Sequence, residues 1–143
     1  MKRMTVVALL AMLVIGAAVA APPTTSKIVF TEEKLDLIEQ NLAIALISDC
    51  PGMEASAALT MRQVKELAPD YEFKSLIIPL MHLVKDESAS DASRIAAALA
   101  LYDLKSERGD YAISQSARFT ENPRVKKMFE LLAYQRQLEK RAK

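Results

Sequence analysis

The chain of 143 residues holds one cysteine, one histidine, three glycines and no tryptophan. Each shortage excludes something. A single thiol, Cys50, cannot close an internal disulfide, so the fold has to rest on its apolar core. Redox chemistry through a C-x-x-C pair is excluded for the same reason. One imidazole, His82, leaves little for acid–base work, and no H-E-x-x-H, G-x-S-x-G or phosphate-loop pattern is present. Past residue 20 only Gly52 and Gly109 remain, too few for nucleotide-cradling loops or tight-turned β-structure. An excess of one charge is missing too. The 19 basic and 18 acidic side chains leave no electrostatic footprint for nucleic acid, and no nucleic-acid partner is expected.

What the chain does have begins at residue 1. Met1-Lys2-Arg3 precedes an uncharged apolar run from Met4 to Ala21, in which Ala18 and Ala20 supply small residues at its end. A basic start, an apolar middle and a small-residue end predict a signal peptide over residues 1–20, cut between Ala20 and Ala21. A cut one residue later would set Pro22 against the scissile bond. No second such run follows, so no stable membrane span is expected after cleavage. The expected location is periplasmic or secreted. Pro22-Pro23-Thr24-Thr25-Ser26 gives residues 21–30 the look of an irregular leader. In an oxidising compartment Cys50 lacks an internal partner, and its plain reading is a small buried side chain.

Residues 31–143 read as one helical domain. Leu35, Ile38, Leu42, Ala45 and Leu46 recur at helical spacing after Thr31, whose hydroxyl suits a cap. Leu37, Ile44 and Ile47 widen that apolar arc, which predicts cover on more than one side. Asp49-Cys50-Pro51-Gly52 ends the first helix, and a second is expected over Met53–Ala68. A third spans Phe73–Lys85, either starting near Ile78 or kinked by Pro79. A fourth runs from Asp91 or Ala92 through the run Ala96-Ala97-Ala98-Leu99-Ala100, the mark of an inner helix crowded by neighbours. Gly109 is expected to close it as a left-handed cap. A short fifth helix covers about Tyr111–Arg118. A sixth begins at Pro123 and runs to about Arg141, exposed beyond Tyr134.

Two segments overlay. Leu42–Val64 and Ile78–Leu104 each pair an apolar helix ending in an acid, Asp49 or Asp86, with an Ala-rich amphipathic helix. Ile113–Leu132 is an eroded third copy. A helix pair recurring every 30 to 40 residues is a solenoid signature. Asp86, Arg94, Ile95, Ala97, Ala98 and Leu101, with Thr120-Glu121-Asn122-Pro123-Arg124-Val125, make residues 33–134 resemble the HEAT-like repeat family. The first copy departs from it, because Cys50-Pro51-Gly52 lacks the Arg and branched pair. The resemblance implies an all-α superhelix of about three stacked pairs, used as a binding surface without a shared active site. A plain bundle of five or six helices is the alternative. Arg94 and Arg124, following acids in the turns, are expected to be braces or solvated charges. Leu59-Thr60-Met61-Arg62-Gln63 also looks like the L-T-x-x-Q signature of small helical periplasmic stress proteins and chaperones.

No catalytic, cofactor-binding or metal-ligating residue is assigned, and no cofactor is expected. His82 lies between Met81 and Leu83 and reads as a structural or surface histidine. Asp86, Glu87, Asp91 and Glu121 lack calcium-loop spacing, and Asp103, Glu107 and Asp110 read as solvated charges. Met53, Met61, Met81 and Met128 fall at helical positions that suit core filling better than copper. The expected function is a non-enzymatic interaction module docking another envelope or secreted protein. The alternative is a chaperone-like binder of unfolded clients. Glu54, Arg62, Lys65, Glu66 and Lys126-Lys127 are candidate charges on a docking face.

Overall fold

The three- and four-residue apolar spacing becomes six helices in a computed structural model that describes residues 30–142. They are α1 (Glu32–Leu46), α2 (Pro51–Leu67), α3 (Ile77–Lys85), α4 (Asp91–Leu104), α5 (Glu107–Phe119) and α6 (Pro123–Arg141). The leader over residues 1–20, and the irregular stretch up to residue 29, lie outside the described residues. Among the described residues there is no strand, and no helix is long and apolar enough to cross a membrane.

Local chemistry sets the boundaries. α2 starts at Pro51, earlier than Met53, because proline suits a first helical position whose amide would have no partner. Pro79 causes no kink. A 3-10 turn at Lys74–Leu76 leads into α3, which leaves Pro79 in the first turn, where a missing donor costs nothing. Thr31 stands at the start of α1, but its hydroxyl takes no amide. Ser90 does, accepting from the Ser93 amide at 3.0 Å.

Gly109 is not the left-handed residue. That conformation belongs to Lys105, at φ 53°, just past α4. Ser106 then caps α5, which therefore starts four residues before Tyr111. Gly109 sits in the first turn of α5, where a Cβ would come within 3.1 Å of the Leu101 side chain. Its role is close approach of α5 to α4. A lysine at positive φ carries strain that glycine lacks, so Lys105→Gly is expected to add about 1 kcal/mol of stability. That corresponds to a melting temperature roughly 4 °C higher in a thermal scan.

Helix α1 packs on α2, α3 on α4, and α5 on α6. Across these pairs α2 lies against α4 and α4 against α6, while α1 meets α3 and α3 meets α5. The segment Leu42–Val64 runs from α1 into α2, Ile78–Leu104 from α3 into α4, and Ile113–Leu132 from α5 into α6. Helix α4 touches α2, α3, α5 and α6, and its Ala96, Ala97, Ala98 and Ala100 are buried. Small side chains let four backbones close in on it, as the alanine run predicts. The longer apolar residues fill the rest: Leu35, Leu42 and Leu46 from α1, Met61 from α2, Leu80 and Val84 from α3, Leu101 from α4, Ile113 from α5 and Phe129 from α6. Leu37, Ile44 and Ile47 are exposed, so the second covered side expected for α1 is bare among the described residues.

Polar bonds tie one pair to the next. At one end of the inner helices the Ser93 hydroxyl donates to the Pro51 carbonyl at 3.1 Å, and the Asn122 amide donates to Asp91 at 2.8 Å. At the other end Arg62 of α2 pairs with Asp103 of α4, and the Tyr102 hydroxyl of α4 donates to Glu139 of α6. Apolar area holds the pairs together non-directionally. These bonds fix the register.

Candidate functional site

Two arginines, Arg94 and Arg136, are buried. Arg94 is 1% exposed. Its guanidinium donates to both oxygens of Glu87, at 2.7 and 3.1 Å, to the Val84 carbonyl at 3.2 Å and to the Thr120 hydroxyl at 3.1 Å. It also stands 5.7 Å from the centre of the Phe129 ring. One side chain thus joins the end of α3, the following turn, the cap of α5 and the core face of α6. It is a brace. Its acid is Glu87; Asp86 instead accepts from the amide and hydroxyl of Ser88, and those bonds hold its carboxyl below the usual range. Arg124 is exposed and makes no ion pair among the described residues.

Beyond Tyr134 the described residues are exposed as expected, with the exception of Arg136. It is buried, donates to Asp110 at 2.9 Å, to Glu139 and to the Tyr102 carbonyl, and lies 4.2 Å from the Tyr102 ring centre. Lys140 adds a second cation on Asp110 at 3.0 Å. Asp103 and Asp110, read as solvated, are both paired. Sequence offered one signal for this cluster: Tyr102, Arg136 and Lys140 sit where an apolar stripe would otherwise continue.

This cluster closes one end of a groove between α5 and α6. The groove encloses about 430 Å³, and its lining includes Tyr111, Ser114, Arg118, Ala133, Arg136 and Gln137. A shallower continuation runs on past Ala117, Lys126 and Tyr134. Small residues make the floor, and the exposed rings of Tyr111 and Tyr134 stand along it. Such a slot can take a helix or an extended segment.

The other residues singled out from sequence do not converge. Cys50 is exposed at the cap position of α2, not buried. His82 is exposed on α3, and no hydrogen bond joins it to Cys50. Glu54, expected on an outer face, is buried. Arg62 is committed to Asp103, and Lys65 donates to the carbonyls of Pro69 and Tyr71 beyond α2. Glu66, Lys126 and Lys127 are exposed. In the L-T-x-x-Q stretch Met61 is core, while Leu59 and Gln63 are exposed. Among the described residues no three His, Cys, Asp or Glu side chains gather as metal ligands would.

Sequence reading missed a third polar cluster. The Tyr71 hydroxyl reaches Asp36 at 2.5 Å and Glu39 at 2.7 Å, and Glu39 also accepts from the amide and hydroxyl of Ser75. It clasps α1 to the turn before α3. Partial burial and those two carboxylates push the Tyr71 phenol well above its ordinary 10.0. Glu139 chiefly does the same to Tyr102. A raised folded value means that the clasp contributes fully below pH 10 and is lost as pH climbs beyond it. Alkaline titration of tyrosinate absorbance should therefore show two late phenols that return to the ordinary range in denaturant. Tyr71→Phe should remove one of them.

Comparison with family models, with curated proteins and with solved structures finds no match to this chain.

Proposed function

We propose that the chain is a non-enzymatic interaction module: a short superhelix of three stacked helix pairs, HEAT-like in kind, that works after export on another envelope or secreted protein. The observation that carries this reading is the groove between α5 and α6. The two rows of helices, and the polar bonds running between successive pairs, support the stacked arrangement. In a stack each pair is covered by the next. Helices α5 and α6 meet α3 and α4 on one side and leave their mutual groove open.

The occupant we propose is an amphipathic helix of the partner. Ser114, Ala117 and Ala133 allow a close backbone approach, and Tyr111 and Tyr134 are large, stiff anchors of the sort that dominate interface energies. A photo-reactive residue at position 111, with position 37 on α1 as control, tests this in native envelopes. Recovery of one stoichiometric partner from position 111 alone is expected. Equal capture from both positions would remove the groove from the account. The exposed Leu37, Ile44, Ile47 and Leu67 favour the second reading, a chaperone-like binder. That reading predicts a broad set of unfolded clients from both positions and suppression of their aggregation.

A further inference from the structure

Phe119 is 76% exposed, more than any other large apolar side chain among the described residues. It stands at the corner where α5 ends and α6 begins. The corner is not slack. Thr120 beside it is buried and bonded to Arg94 and Glu87. Asn122 caps α6 through the amides of Arg124 and Val125, and its own amide donates to Asp91. The chain is pinned on the far side of the ring, so Phe119 is held out of the core.

Cations flank it in the sequence. Arg118 precedes the ring, and Arg124, Lys126 and Lys127 follow in the opening of α6; all four are exposed. Between residues 118 and 127 the one acid is Glu121. Beyond this stretch Asp91 accepts from Asn122 and Glu87 pairs with Arg94, and Glu130, exposed one turn after Lys126, is a second acid against the four cations. The first turn of α6 carries no acid. Cations there oppose the positive end of the helix dipole, and none of the four has an ion-pair partner among the described residues. Arg118 suits the negative end of α5, but the three cations on α6 bring the fold no such gain, whereas an anionic surface would profit from all four.

We infer that this corner attaches the protein peripherally to an anionic lipid surface. Phe119 enters the boundary between headgroups and acyl chains, and the four cations lie on the headgroup phosphates. Long cationic side chains can follow a fluid surface while their stems rest on apolar material. A single protruding ring needs no matching pocket there, as it would on a folded protein. Leu131, exposed one turn beyond Lys127 on α6, adds a second apolar contact on the same flank. The attachment overlaps the α5–α6 groove in part: Arg118 and Lys126 line it, whereas Phe119, Arg124 and Lys127 do not.

Vesicle co-sedimentation of the purified protein tests the inference. Vesicles rich in phosphatidylglycerol should bind it, less so as salt rises, and pure phosphatidylcholine vesicles should not. Phe119→Ser should weaken binding about tenfold. The paired change Arg124→Glu and Lys127→Glu should weaken it more than about twentyfold, at about fivefold or more per cation. Phe119→Ser should keep the parent melting temperature and the paired change should not lower it, because all three side chains are outside the core and acids suit the start of α6. No binding to anionic vesicles would overturn the inference. So would equal binding by the parent and both variants, or capture of an acidic protein by this corner while vesicles are ignored.

Discussion

Replacing Glu87 by alanine is expected to cost about 3 kcal/mol, although its side chain is 54% exposed. An exposed glutamate in a surface ion pair is ordinarily worth well under about 1 kcal/mol. Glu87 differs because of what it neutralises. Arg94 is almost wholly out of water, and without Glu87 its charge would keep only a carbonyl and a hydroxyl. Arg94→Ala should cost more, about 4 kcal/mol. It strips the Val84 carbonyl of a donor and leaves a void beside Phe129. The double variant should cost roughly 2 kcal/mol less than the two singles summed, since each removes the other's partner. Urea unfolding at unchanged slope measures all three. A Glu87→Ala midpoint indistinguishable from the parent would show that Arg94 is held by the carbonyl and hydroxyl alone.

Arg94 was legible in part. An arginine before a branched residue, opposite an acid-bearing turn, stood out from the alanine run as a brace or a solvated charge, and its burial decides for the brace. The identity of its acid was not legible. Asp86 and Glu87 are adjacent, and the turn decides between them: Asp86 folds back on Ser88, which frees Glu87 to face Arg94. On α3 and α6 the apolar residues at three- and four-residue spacing, Leu80, Leu83, Val84, Val125, Phe129 and Leu132, are buried, as helical periodicity requires. Periodicity misplaced Leu37, Ile44 and Ile47, because residue type alone cannot tell an apolar face that packs from one left open. Gly109 misled for a related reason. Glycine serves either positive φ or close approach, and here Lys105 took the first role and left Gly109 the second. The groove was not legible at all. It depends on how closely α5 and α6 approach, which no spacing within either helix states.

Arg136→Ala is the second large effect expected, at about 2–3 kcal/mol. The burial of Arg136 resembles that of Arg94, but its partners are better provided for. Asp110 would keep Lys140, and Glu139 would keep the Tyr102 hydroxyl. The loss is therefore the charge-assisted bonds and the stacking on Tyr102, with no carboxylate left unpaired. A second readout separates this from a mere cavity. Glu139 is held below its ordinary range first by the Tyr102 hydroxyl and also by Arg136, so its titration should move up towards that range. Tyr102, whose raised value Arg136 partly offsets, should move further up. Arg136→Lys should restore part of the charge effect on Glu139 while losing the fork to Asp110 and the Tyr102 carbonyl. Arg136 also floors the groove at the end nearest α4. If that groove seats a partner helix, Arg136→Ala should reduce cross-linking from position 111 at temperatures where the variant is still folded. Undiminished cross-linking, together with the expected loss of stability, would confine Arg136 to holding α6 on α4 and move the docking contacts towards Tyr134.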